Sequence, residues 1–93
     1  MPSVMATLKV KDDKIDEAKK FLTQLASDCL ANEAGTLEYV VHQKKGEPTT
    51  FVFYEKYESD AALAEHSKNL QSAGASFAAV LAGAPEIVVL DEA

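Results

Sequence analysis

Glu55 and His66 are the pair of side chains in this sequence that could share a proton. Phe51, Phe53, Glu55 and Tyr57 fall at every second position, so a strand here sets a carboxylate in an aromatic row. Burial among aromatics raises a carboxyl pKa unless a donor compensates. His66 stands about two turns into the helix expected to follow, on the face that looks back at the same sheet. Imidazole is the side chain whose charge changes near neutral pH. A hydrogen bond between Glu55 and His66 would satisfy the carboxylate and fix the ring tautomer. That is the equipment of a proton-transfer site, a base with an orienting partner. Tyr39, Tyr57, Phe51 and Phe53 would surround it as an apolar pocket with one polar end. The same pair would also serve as a purely structural tie between helix and strand.

Other chemistry is poorly supplied. His42 and His66 are far apart and lack metal-ligand spacing, so no metal site is expected. Cys29 falls on an apolar helical stripe and should pack as a small hydrophobe. Ser67 and Ser72 have no nucleophile-elbow context. Gly46, Gly74 and Gly83 form no phosphate-binding fingerprint, so a nucleotide cofactor is not indicated. Asp12 and Asp13 suit a helix cap better than an acid–base couple.

The chain behind these residues has 93 residues and 47% apolar composition, which predicts a single globular domain over 1–93. Net charge is −6, and every one of the 9 basic residues is a lysine. With no arginine and no basic surface, neither nucleic acid nor an anionic membrane is an expected partner. The single cysteine excludes an internal disulfide. The start, MPSVMATLKV, lacks the pattern of a signal peptide, and Asn69 to Pro85 is too short and interrupted to span a bilayer. A soluble cytoplasmic protein is expected.

Alternation and helical spacing place the elements. Val4 to Val10 reads as a strand, and a helix should begin near Lys14, capped by Asp12 or Asp13. Its stripe is Ile15, Ala18, Phe21, Leu22, Leu25, Ala26, Cys29 and Leu30. Leu37 to Lys44 and Thr49 to Tyr57 read as strands joined by the hairpin loop KKGEP. Ser59 should cap a helix through His66, and Gly74 should divide it from a short helix around Ser76 to Leu81. EIVVL, Glu86 to Leu90, is the last strand. The order βαββαβ predicts a ferredoxin-like α+β fold, a four-stranded antiparallel sheet with helices on one face.

The strands are greasy on both faces. Leu37, Tyr39 and Val41 should face the helices, yet Val40, Val52 and Tyr54 fall on the other side. Helices cover only one face, so a second copy packed sheet to sheet is the expected cover for the other.

NEAGTLEY (Asn32–Tyr39) and PTTFVFYEKYESDAALAEH (Pro48–His66) together resemble the antibiotic biosynthesis monooxygenase family of dimeric α+β barrels. Glu33, Gly35 and Tyr39 match that family's E-x-G-x-x-x-Y turn, and Glu55 and His66 match its strand carboxylate and helix imidazole. Tyr57 stands where the family usually carries tryptophan, and the chain has none. Ala6 falls where the haem-degrading branch carries asparagine, which argues against haem degradation. The resemblance implies a homodimer that oxidises a small hydroxyaromatic or quinol-like compound with molecular oxygen, without metal or flavin. It implies catalytic roles for His66 and Glu55, and substrate contacts for Tyr57, Tyr39, Phe53 and Phe51. Non-enzymatic binding of a small ligand, or isomerase-type chemistry, are the alternatives.

Overall fold

The computed structural model describes residues 1–93. Its elements are β1 (Pro2–Lys9), α1 (Ile15–Asn32), β2 (Thr36–Gln43), β3 (Thr50–Tyr57), α2 (Asp60–Leu70), α3 (Gly74–Val80) and β4 (Glu86–Asp91). A 3-10 turn over Gln71–Ala73 links α2 to α3. The strands pair antiparallel in the order β2-β3-β1-β4. This is the ferredoxin-like α+β arrangement that the element order predicted.

Pleating sorts the side chains into rows across the sheet. Tyr39, Glu55, Val4 and Val89 form one row on the helix side, and Val41, Phe53, Ala6 and Ile87 the next. Val4, Ala6, Leu8, Phe51 and Phe53 are buried under the helices. Cover fails at β4, where Ile87 is 55% and Val89 58% exposed although both sit on the helix side. On the opposite face Val40, Tyr54, Met5 and Val88 lie side by side across all four strands. Val40, Met5 and Val88 of that band are exposed.

Alternation fails at one place. Thr36 pairs with Tyr57 and Glu38 with Lys56, so Leu37 is an extra residue in a bulge. Leu37 is therefore exposed rather than beside Tyr39, while Thr36 and Tyr39 both turn inward.

Helix α1 also departs from expectation at both ends. Lys14 is its N-cap residue and makes no side-chain cap, so Asp12 and Asp13 do not close it. Asp16 and Glu17 in the first turn still complement the helix dipole. Leu30 is exposed and Cys29 is buried. At 3.6 residues per turn, Cys29 lies about 20° from Ala18 around the axis and Leu30 about 120°. Helix α2 follows expectation, with the Ser59 hydroxyl accepting from the Ala62 amide.

Gly35 is where the chain leaving α1 passes against α2. A Cβ there would meet the Ala62 Cβ at 2.5 Å. Gly35→Ala is expected to cost about 1–3 kcal/mol by overpacking. Ala62→Gly in the same chain should recover most of it. Chemical denaturation of the two single variants and the double variant checks this.

Candidate functional site

A cavity of about 370 Å³ lies between sheet and helices. Ala6, Leu8, Tyr39, Phe53 and Ile87 floor it from the sheet, and Leu70, Phe77 and Leu81 wall it from the helical side. Phe21 of α1 meets Phe77 edge-on at 5.0 Å, which steadies that wall. Glu55 is the only ionisable side chain in the lining apart from the Tyr39 phenol. The site is thus apolar with one acidic end, a form suited to a flat ring carrying a hydroxyl.

Glu55 is 5% exposed, and its Oε1 accepts from the Tyr57 hydroxyl at 2.5 Å. Burial raises the Glu55 carboxyl above its usual range, although the Tyr57 bond and His66 pull the other way. The same burial, with Glu55 beside it, pushes the Tyr57 phenol up. Burial also pushes up Tyr39, so both tyrosines stay protonated donors.

His66 is 3% exposed and packs between Tyr39 at 4.8 Å and Tyr57 at 5.3 Å, centroid to centroid. The expected hydrogen bond to Glu55 is not made: His66 Nε2 is 3.9 Å from Glu55 Oε1. Its Nδ1 lies 2.8 Å from Glu33 Oε1 instead. Tyr57, two residues along the same strand face, has taken the Glu55 oxygen. Helix α2 turns the other edge of the ring toward the end of α1.

Glu33 is a hub. The Thr36 hydroxyl donates to Oε1 at 2.8 Å and the Asn69 amide to Oε2 at 3.2 Å. Burial works to raise the Glu33 carboxyl, but the bonds from Thr36, His66 and Asn69 outweigh it and hold the group below its usual range. Composition and spacing did not single out Glu33 for this role. Its signal was the E-x-G turn, which places a carboxylate just after α1 where it can face α2.

The six expected site residues divide into groups. Glu55, Tyr39 and Phe53 line the cavity. His66 lines a neighbouring cleft with Glu55, Leu63 and Val89. Tyr57 is fully buried behind Glu55. Phe51 lies two residues from Phe53, opposite Leu8 and outside the cavity lining.

Cys29, Glu33 and His66 offer donor atoms that all lie within 4.8 Å of one another, and these could hold a cation. An ion would have to break the Glu33–His66 bond. It would also have to strip a proton from a thiol that burial and Glu33 push up to about 12.

The family model for antibiotic biosynthesis monooxygenases matches residues 1–79. The chain belongs to that family. A Caulobacter crescentus protein named for the same family is 37% identical, with a TM-score of 0.90 over 99% of this chain and 89% of that one. PA3566 from Pseudomonas aeruginosa shares the fold at 23% identity, with a TM-score of 0.87 over 99% of this chain and 93% of its own. Among curated proteins none matches. No helix is long and apolar enough to cross a membrane.

Proposed function

We propose that this protein is a small oxygenase that oxidises a hydroxyaromatic or quinol-like compound in the cavity between sheet and helices. The observation that carries this is the buried Glu55, the single acidic group at the end of an aromatic-lined space. Glu55 takes the hydroxyl proton: the substrate O–H breaks and a carboxyl O–H forms. The resulting phenolate is electron-rich enough to reduce oxygen directly. One oxygen atom replaces the hydrogen of a ring C–H and ends as a carbonyl, so that the product is a quinone. The other leaves as water with the ring hydrogen and the hydroxyl proton, so the substrate supplies all the electrons and no resident cofactor is required. Tyr39 and Phe53 hold the ring, Tyr57 steadies Glu55, and His66 stands behind as a second base. Membership of the family and the closeness of the Caulobacter protein support this reading. The apolar band Val40–Tyr54–Met5–Val88 supports the further proposal that a second copy covers the outer face.

Oxygen uptake with a panel of reduced quinones tests it. His66→Ala is expected to lower uptake about a hundredfold, the low end for loss of a general base. If the wild type consumes no oxygen above background while a hydroxyaromatic still binds, the alternative holds, a non-enzymatic ligand-binding domain.

A further inference from the structure

Glu33 faces away from the cavity. It lines two clefts on the far side of α2, one with Asp28, Cys29, Asn32, Lys68 and Asn69, the other with Thr36, Ala62 and Glu65. It nevertheless makes the shortest polar contact to His66, whose opposite edge faces Glu55. The groups around the ring are Cys29 and Glu33 from the end of α1, Tyr39 from β2, and Glu55 and Tyr57 from β3. The line Glu33–His66–Glu55 therefore runs from a solvated cleft to the cavity wall, with Tyr57 buried behind Glu55. Nδ1 of the ring is hydrogen-bonded, and Nε2 makes no hydrogen bond.

We propose that Glu33 is a positioning residue for the oxygenase reaction. It pins a proton to His66 Nδ1 and turns the Nε2 lone pair toward Glu55. The ring can then store the proton that Glu55 takes from a bound hydroxyaromatic. This rests on the reading of the cavity given above.

The chemistry follows from the bonds. A carboxylate with no proton of its own can only accept, so the 2.8 Å contact puts hydrogen on Nδ1. The neutral ring then has its free lone pair on Nε2. Glu55 passes the proton to that nitrogen when the 3.9 Å gap closes or one water bridges it. An N–H bond forms as the carboxyl O–H breaks, and the imidazolium sits between two carboxylates. The proton returns by the same route to the oxygen atom that leaves as water. Glu33 is already held ionised by three donors, so it stabilises the charged ring without taking the proton. The role parallels that of the carboxylate in a serine-protease triad, which orients an imidazole and supports its charge.

Two measurements test this. Nitrogen-15 NMR of the free wild-type protein reads the tautomer directly. The proton of the neutral His66 ring is expected on Nδ1, and finding it on Nε2 overturns the proposal whatever the cavity binds. The second uses 4-nitrophenol, whose phenolate is yellow, bound to the wild type and to Glu33→Gln. With the proton store weakened, the ratio of phenolate to phenol in the bound probe at pH 7 should fall about tenfold, equivalent to one pKa unit. A merely structural role predicts the reverse, because removing a negative charge nearby favours the phenolate. An unchanged or larger phenolate fraction in a folded Glu33→Gln protein therefore overturns the proposal. If the variant does not fold, the tautomer measurement decides alone. If the probe fails to bind the wild type, the cavity reading falls, and the tautomer result still judges Glu33.

Discussion

Glu55→Gln is expected to lower oxygen uptake with reduced quinones by about 10²- to 10⁴-fold while leaving the fold intact. Glutamine keeps the size of the side chain and an oxygen that can accept from the Tyr57 hydroxyl. It removes the one group in the cavity able to take a proton from a phenol near neutral pH. Stability should move the other way from activity. The folded-state Glu55 pKa is raised, so the native state binds more protons than the unfolded chain across the window from the ordinary carboxyl value up to the raised one. Stability from this group is then fully present below that window and is lost as pH rises through it. The amide has no such cost. The Tm of Glu55→Gln should match that of the wild type at low pH and exceed it increasingly toward neutrality. A variant that melts below the wild type at pH 7 would show that the charged carboxylate holds the fold together, and the proton-transfer role would lose its physical basis.

The second large effect separates two phenylalanines that the sequence treats alike. Phe51 and Phe53 are both 2% exposed and point the same way from β3. Only Phe53 lines the cavity and meets Tyr39, at a centroid distance of 4.8 Å. Phe51→Ala opens a void in packed core with nothing to fill it, at a cost of about 3–5 kcal/mol. A domain of this size should lose well over about 10 °C in Tm for that change. Affinity for a hydroxyaromatic, measured where the variant is still folded, should fall much less than in Phe53→Ala, since Phe51 stands outside the lining and reaches it only through its partner Leu8. Phe53→Ala should weaken binding as well as stability. Calorimetry and ligand titration on both variants check the contrast, and equal losses of affinity would contradict the division drawn here.

The sequence made the frame legible because its strongest signals are periodic. Alternation through Phe51, Phe53, Glu55 and Tyr57 correctly put a carboxylate inside, and Ser59 correctly began the helix that carries His66. Spacing tells which face a residue takes. It does not tell which atom it meets. Glu55 and His66 do approach each other, yet each has a nearer partner, Tyr57 in one case and Glu33 in the other. Glu33 was hard to place because it caps the end of α1, where neither helical nor strand period applies. The bulge at Leu37 hid for the same reason, since a rule of alternation cannot announce its own exception. The cover of β4 was also beyond reach, because helix length and position, not strand composition, decide how far across the sheet a layer extends.

That bulge sets the phase of the whole second strand. Thr36 donates to Glu33 on one side of it, and Tyr39 packs on His66 on the other, although three positions separate them. Excising Leu37 would iron the ladder flat and force a choice between the two anchors: holding Thr36 in place would swing Tyr39 outward, and holding Tyr39 would drag the Glu33 turn one step along the sheet. A one-residue deletion at this point is therefore a far more drastic edit than any single exchange of the same exposed leucine.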